Sequence, residues 1–303
     1  MSDQKTLTPR AFSELMVLGL IWGGSFLSIR LALNEVPVAT AVLHRTFWAM
    51  LFLWGVIWWL GLRWPRDIAT WIGFLGMGVL NNILPFGLMT WGQQYIETGL
   101  TSILNATTAI FGVLIAALFL ADERLNARKI IGVGFGFAGV VLTIGPDNLM
   151  RLDLRSGAQL AVLGGTLSYA LAGVWARRRL AHLPPLLAAA GMLTGATCLL
   201  IPAGLWVDGV PRMDLLPVTW GAILYYSLFA TAGAYFLYYR VLAVAGSANL
   251  MIVTLIIPPV AVVLGAVVLG EKLAAQAYGG FALLGLGLLI LNGWLGPRFR
   301  NGN

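Results

Sequence analysis

Charged side chains are scarce in this chain. Asp, Glu, Lys and Arg together make up 10% of the 303 residues, whereas soluble domains carry roughly 25%. Apolar residues account for 59% of the sequence, and the mean hydropathy is +0.86. Most of a chain with this composition cannot stay in water, so the sequence indicates an integral membrane protein.

Cysteine and histidine are nearly absent as well. The one cysteine, Cys198, lies in an apolar run, so no disulfide can form within the chain. The sequence contains no His-Glu-x-x-His, no Gly-x-Ser-x-Gly, no intramembrane aspartate pair and no nucleotide-binding glycine loop. Nothing in it resembles the carbonyl or charged ring of a channel filter. We therefore expect no catalytic residues, no metal site and no cofactor, and neither an enzyme nor a channel.

Apolar runs, by contrast, fill the sequence. Ten of them have about the 20 residues that a membrane-spanning helix needs. They leave only short connections, so a separate soluble domain does not fit between them. The sequence thus predicts an all-α membrane protein with spans at 11–33, 37–60, 69–95, 99–121, 127–144, 157–176, 185–207, 217–242, 247–269 and 274–294.

One stretch of the sequence occurs twice. Residues 102–145 recur 148 positions later as residues 250–293. Each copy is an apolar span, a short turn with Glu-Arg-Leu at Glu123 or Glu-Lys-Leu at Glu271, and a second span rich in glycine. Such a duplication is typical of a membrane fold built from two repeats. Because each half holds five spans, an odd number, we expect the repeat at 157–294 to be inverted relative to the repeat at 11–144.

Two helices around a Glu-Arg/Lys-Leu turn, present in both halves, resemble the EamA-type members of the drug/metabolite transporter superfamily. The resemblance covers nearly the whole chain and implies ten helices in two inverted five-helix repeats. Within that superfamily the chain looks most like the bacterial amino-acid exporters, including the YddG group that exports aromatic amino acids. It implies alternating access to a central cavity lined by the first, third, fourth, sixth, eighth and ninth helices.

Basic residues are unevenly divided between the two ends of the predicted spans. The net charge is +7, but Lys and Arg follow the span ends, so we expect a topology signal and no nucleic-acid partner. With a cytoplasmic N-terminus, thirteen lie inside, five lie outside (Arg30, Arg151, Arg155, Arg212 and Lys272), and Arg45 falls within a span. We therefore expect a multi-pass protein of the cell inner membrane with both termini in the cytoplasm. The thirteen are Lys5, Arg10, Arg63, Arg66, Arg124, Arg128, Lys129, Arg177, Arg178, Arg179, Arg240, Arg298 and Arg300.

None of the twelve acidic residues falls near the middle of a span. A proton-coupled transporter needs a buried carboxylate or a histidine that titrates near neutral pH. Glu14 is too close to the end of the first span for that role, and His182 lies in a basic loop, which leaves His44 alone. The sequence therefore predicts facilitated diffusion of a neutral or zwitterionic solute, with a weak response to a pH gradient.

Three conspicuous charged residues each allow two interpretations. Glu123 and Glu271 precede a helix, where a carboxylate favours the positive end of the helix dipole. That structural role is the favoured interpretation, and a latch between gates is the alternative. For Arg45 we favour a side chain that reaches back to the interface over one that pairs with a substrate carboxylate or a neighbouring helix.

Polar and aromatic residues within the spans are the candidates for a substrate pathway. The fourth span carries Thr101, Asn105, Thr108 and Gly112 on one face. In the matching ninth span, Pro258 and Pro259 predict a helix break, which is the sequence pointer to a transport site. Each residue alone could equally be a helix-to-helix hydrogen bond or part of an interfacial belt. The predicted substrate-binding residues are Trp22, Asn82, Asn105, Thr108, Tyr169 and Tyr225.

The sequence is thus interpreted as a secondary transporter that exports small amphipathic metabolites, most of all aromatic or other neutral amino acids. Export of another metabolite or drug, or uptake by the same fold, are the alternatives. The expected partners are the small-molecule substrate and the lipid bilayer. The sequence does not set the oligomeric state, and it is compatible with a monomer.

Overall fold

The structure is a computed structural model. It describes residues 8–120, 125–144 and 154–293, except residues 239, 242–243, 245–252 and 292. This part of the chain is helical and contains no β-strand. Ten helices, here α1 to α10, lie close to the predicted spans: Pro9–Ala32, Val38–Trp59, Ile68–Gly92, Thr98–Phe119, Ala127–Ile144, Leu154–Arg179, Pro185–Val207, Pro217–Tyr238, Val253–Leu269 and Ala275–Leu291.

All ten helices are apolar enough to lie in a bilayer. Eight of them have at least 18 residues and the hydropathy of a membrane span, while α9 and α10 are shorter apolar helices. At 1.5 Å per residue, 18 residues reach about 27 Å, close to the thickness of the hydrocarbon core. The protein is therefore a ten-helix, multi-pass membrane protein.

The helix ends follow from local sequence. Thr8 caps α1 because its hydroxyl accepts a hydrogen bond from the backbone N–H of Ala11 at 3.2 Å. The Asp67 carboxylate caps α3 by accepting from the N–H of Thr70 at 2.8 Å, and this hydrogen bond lowers the pKa of Asp67. The helix α2 ends before Gly61, whose φ of 64° is open to glycine at little cost.

The two halves, α1–α5 and α6–α10, interdigitate instead of packing side by side. The most extensive helix pairs all join one half to the other: α5 with α10, α3 with α6, α3 with α7, α2 with α7, α4 with α6, and α1 with α9. Exchanging each helix for its equivalent five places along gives back the same set of contacts, since α8 packs on both α1 and α2. This is the contact pattern of two equivalent five-helix halves.

Glycines allow the closest of these contacts, between α5 and α10. A Cβ atom placed on Gly139 would lie 2.7 Å from the carbonyl oxygen of Gly280, and one on Gly132 would lie 2.8 Å from that of Gly287. Such approach of two backbones is typical of small residues in membrane helices. The glycine-rich fifth and tenth spans therefore pack backbone to backbone.

The predicted break in the ninth span is wrong. Helix α9 runs from Val253 to Leu269 and passes through Pro258 and Pro259. The matching fourth span is interrupted instead, between the helical segments Thr98–Asn105 and Thr108–Phe119. A proline removes one N–H donor, but neighbouring groups in a membrane bundle can satisfy the carbonyl that it leaves.

Candidate functional site

The third helix of each half contains a π-helical segment. These segments are Val79–Ile83 in α3 and Tyr225–Gly233 in α8. Moved back by the repeat distance of 148 residues, the segment of α8 covers residues 77–85 and so overlaps the segment of α3. A wider π turn disturbs the ladder of backbone hydrogen bonds, and such turns are frequent at functional sites. The two irregular segments therefore mark equivalent places near the centre of each half.

Side chains from other helices bind carbonyl groups of these π segments. The indole N–H of Trp22 donates to the Ala230 oxygen in α8 at 3.0 Å. The hydroxyl of Ser168 in α6 donates to the Leu80 oxygen in α3 at 2.7 Å. Each bond joins the two halves, and each satisfies a carbonyl that would otherwise be costly in a membrane.

The interruption of α4 coincides with the predicted polar face. Thr108 donates its hydroxyl hydrogen bond to the Asn105 carbonyl at 2.8 Å. Thr107, which sequence reasoning missed, donates to the Thr166 hydroxyl of α6 at 2.9 Å. Asn105 and Thr108 remain half-buried. The structure brings these two predicted residues together at the interruption.

Trp22 and Tyr225 both lie where α1 crosses α8, and each binds a backbone carbonyl of the other helix. The Tyr225 hydroxyl donates to the carbonyl of Ile21, the residue before Trp22, at 3.1 Å. Gly24 makes room for this tyrosine, because a Cβ there would lie 3.1 Å from the ring carbon that carries the hydroxyl. Both predicted residues thus use their polar groups to tie helices together, the interpretation that the sequence left open beside substrate binding.

Asn82 lies in the π segment of α3 and is fully buried. Among the described residues, neither the oxygen nor the nitrogen of its side-chain amide has a hydrogen-bond partner. Leaving a buried polar group unpaired costs about 1–3 kcal/mol. The neighbouring Asn81 faces elsewhere, since its amide nitrogen lies 3.6 Å from the Met192 sulfur. The amide of Asn82 is therefore a buried polar group for which the described residues provide no partner.

Arg45 does not reach back to the interface, so the favoured sequence interpretation is wrong. Its Nε donates to the Thr231 hydroxyl in the π segment of α8 at 2.9 Å. Its guanidinium carbon lies 3.8 Å from the ring centroid of Phe86 in α3. These contacts come from two different helices, α8 and α3, and they hold the charge inside the bundle. Pairing with neighbouring helices, the alternative interpretation, describes Arg45 correctly.

Tyr169 belongs to the same group of side chains. Its ring meets the edge of Phe86 with centroids 6.4 Å apart. We call Arg45, Phe86, Tyr169 and Thr231 the Arg45 cluster.

The Arg45 cluster and the Trp22–Tyr225 pair converge on adjacent residues of α8. Trp22 binds the carbonyl of Ala230, and Arg45 binds the hydroxyl of Thr231. Of the six predicted residues, the structure therefore links Trp22, Tyr225 and Tyr169 to one segment. Asn105 and Thr108 lie on α4, Asn82 lies on α3, and no hydrogen bond described for these three joins them to that segment.

His44 is buried beside this region. Its Nδ1 accepts a hydrogen bond from the Trp48 indole at 3.1 Å, and Trp220 meets the imidazole edge-on at 5.7 Å. The other ring nitrogen, Nε2, is buried and has no hydrogen-bond partner in the part of the chain that the structure describes. Within the described ranges, no three His, Cys, Asp or Glu side chains are grouped so as to hold a metal ion.

Glu271 has a structural role, but on a helix of the other half. One of its oxygens accepts hydrogen bonds from the backbone N–H and the hydroxyl of Thr98, at 3.0 and 2.8 Å, and so caps α4. The prediction of a carboxylate at a helix N-terminus is confirmed, although the helix is not the one that follows Glu271 in the chain. Glu123, its repeat mate, lies outside the described residues.

Two further carboxylates, which sequence reasoning missed, make the same kind of link. Asp208, after α7, accepts from the backbone N–H and the hydroxyl of Thr40 in α2, at 2.7 and 2.8 Å. Glu35, after α1, accepts from the Leu216 N–H at 3.1 Å and from the Thr219 hydroxyl in α8. All three carboxylates lie on the face opposite the start of α1 and the end of α10. Each capped helix carries a threonine in its first turn, and this is the sequence signal that could have indicated the three links.

Comparison with known proteins agrees with this architecture. Residues 12–145 and 156–293 match the model of the EamA-like transporter family. A probable terminal-alkyne amino-acid exporter of Streptantibioticus cattleyicolor is 27% identical and aligns with 93% of this chain and 93% of its own. The uncharacterized inner membrane transporter YedA of Escherichia coli strain K12 is 25% identical, over 92% of this chain and 88% of its own.

A crystal structure with 16% sequence identity has a similar fold. The TM-score is 0.68, and the match covers 93% of this chain and 97% of the other. At this level of identity the likeness concerns the fold alone.

Proposed function

Because the chain belongs to the EamA-like transporter family, in the drug/metabolite transporter superfamily, we propose that it exports small amphipathic metabolites, most of all aromatic or other neutral amino acids. It is a membrane transporter by family, and the substrate class is the proposed part. Transport proceeds by alternating access, in which the cavity between the halves opens to one side of the membrane and then to the other.

The observation that carries this proposal is the convergence of two groups of side chains on residues 230–231. Trp22 reaches Ala230 from α1, and Arg45 reaches Thr231 from α2, within a π segment. Aromatic faces together with a few polar groups suit an amphipathic solute that carries an aromatic side chain. The Streptantibioticus relative, named a probable terminal-alkyne amino-acid exporter, supports the same class.

We assign the remaining predicted residues to the same pathway. Asn82 offers an unpaired, buried amide. Asn105 and Thr108 lie at the interruption of α4, where half-buried polar groups are costly unless they face a partner or water. The six substrate-binding residues of the proposal are thus Trp22, Asn82, Asn105, Thr108, Tyr169 and Tyr225.

The moving units of the proposal are the repeats at 11–144 and 157–294. Hydrogen bonds on the face opposite the termini, such as Glu271 to Thr98, hold the two units together there. We propose that the protein lies in the inner membrane with both termini in the cytoplasm, because thirteen basic residues then lie inside and five outside. A reporter fused at residue 303 should be active only in the cytoplasm, and activity in the periplasm would reverse this orientation.

Counterflow in proteoliposomes tests the substrate class. Labelled phenylalanine, tryptophan and a panel of neutral amino acids should exchange against the same unlabelled solute, and Asn105→Ala and Tyr169→Ala should lower the exchange. Tyr278→Ala is the control, because this tyrosine of α10 is 52% exposed and lies outside the proposed site. If both site variants exchange like the parent while their folding is intact, the cavity lies elsewhere. If no amino acid exchanges, the substrate belongs to another class.

A further inference from the structure

Arg45 is a charged side chain in the interior of a membrane helix. It is the eighth residue of α2, so about 10 Å of helix separate it from Val38 at the start. A charged arginine at the centre of a membrane helix costs about 2.5–3.5 kcal/mol on insertion scales. Within the described part of the chain no carboxylate pairs with it, since the ion pairs there involve Glu14, Glu97 and Asp214.

The guanidinium has more donors than the described residues use. Arginine offers five N–H groups, and Thr231 accepts only the one on Nε. Some described side-chain atoms are buried and have no hydrogen-bond partner, among them the amide of Asn82 and Nε2 of His44. The terminal nitrogens of Arg45 are not in this group. Arg45 is half-buried, so part of its surface remains accessible. Because no described hydrogen bond uses its two terminal nitrogens, we assign them to the accessible space at this residue.

The surroundings of this space fit one kind of group. Two parallel N–H donors on a planar guanidinium match the two oxygens of a carboxylate. A monoanion neutralises the single charge of Arg45, whereas a phosphate dianion would leave an excess negative charge in the bundle. The ring faces of Phe86 and Tyr169 stand beside the guanidinium and give an apolar side chain of the same solute a surface to contact.

We propose that the terminal nitrogens of Arg45 bind the carboxylate of the transported solute. This inference rests on the proposed function, since it names the substrate group recognised at that site. Arg45 holds Thr231 of one half and Phe86 of the other, so the bound carboxylate sits where the two halves meet. The protein therefore selects carboxylate-bearing solutes, zwitterionic or anionic, over amines and amides of the same shape.

The test compares competitors that differ in one group. Counterflow of labelled phenylalanine is measured in proteoliposomes with unlabelled phenylalanine, 3-phenylpropionate, which lacks the amine, or phenylalaninamide, which lacks the carboxylate. Phenylalanine and 3-phenylpropionate should compete, and phenylalaninamide should need at least about tenfold higher concentration, the loss expected for a charged hydrogen bond. Equal competition by phenylalaninamide would overturn the Arg45 site and leave the proposed function standing.

Variants give a second readout that does not depend on transport. In purified protein, 3-phenylpropionate should raise the melting temperature of the parent and of Arg179→Gln, a control arginine near the surface at Trp175. It should not raise that of Arg45→Gln, and Arg45→Lys should give a smaller rise because lysine has no paired donors. An equal rise in Arg45→Gln would refute the site. If no amino acid is transported but this pattern holds, the proposed substrates are wrong and the carboxylate site remains.

Discussion

Replacing Gly139 with alanine tests the contact between α5 and α10, the closest one between the two halves. The new methyl group would lie 2.6 Å from the backbone nitrogen of Leu284 and 2.7 Å from the carbonyl oxygen of Gly280, whereas ordinary contact starts at 3.4 Å. Both are backbone atoms, so neither can rotate away. Helix α10 must move back, and the packing along the contact loosens.

The magnitude follows from two opposed effects. Overpacking typically costs about 1–3 kcal/mol, while exchanging glycine for alanine inside a helix gains about 1 kcal/mol. Gly134→Ala, on the same helix α5, is the matched control. A methyl group at Gly134 would have no described neighbouring atom within 4 Å. Both variants gain the same free energy from replacing glycine with alanine inside a helix, so this gain cancels in the comparison. Gly139→Ala should therefore be less stable than Gly134→Ala by about 1–3 kcal/mol.

Thermal unfolding of both purified variants in detergent, followed by tryptophan fluorescence, measures this difference. The melting temperature should fall for Gly139→Ala and stay level or rise for Gly134→Ala. Equal melting temperatures would mean that α5 and α10 are not packed backbone to backbone, and the interdigitated arrangement of the halves would be wrong.

Two other predictions concern charged and titratable residues. Glu271→Ala should lower stability by about 1 kcal/mol, the usual value of a helix cap, because the N–H and hydroxyl of Thr98 lose their acceptor. Lys272→Ala, the exposed neighbour, is the control, and equal melting temperatures would refute the cap. Imposing a pH gradient of either sign should change net flux little, and His44→Ala should not alter that response. Uphill accumulation driven by protons and abolished in His44→Ala would show coupling instead.

The helices and the close contact of α5 with α10 were predictable from sequence because their signals are local. Apolar runs of membrane length mark the spans, and glycines at 132, 139, 280 and 287 recur at the repeat distance. The capping role of Glu271 was predictable in kind, since a carboxylate favours a helix N-terminus. Its partner Thr98 was not, because that contact depends on how the halves interdigitate.

The arrangement of the site was less accessible to sequence reasoning. Asn82, Tyr169 and Tyr225 stood out as polar or aromatic groups in apolar spans, but a π turn has no local sequence signature like that of a helix cap. The prolines at 258 and 259 suggested a break that the bundle does not make. The length and flexibility of the Arg45 side chain favoured a guanidinium at the membrane interface. The tertiary contacts with Thr231 and Phe86 keep it inside the bundle instead.

Trans-stimulation of transport tests most directly whether this protein works as a carrier by alternating access. Proteoliposomes are loaded with buffer or with unlabelled phenylalanine, and the initial entry of labelled phenylalanine is measured over a range of outside concentrations. The account predicts saturable entry that is faster into loaded vesicles, because the site returns to the outside occupied. Entry that rises linearly with concentration and is the same into loaded and empty vesicles would indicate a pore and contradict the account.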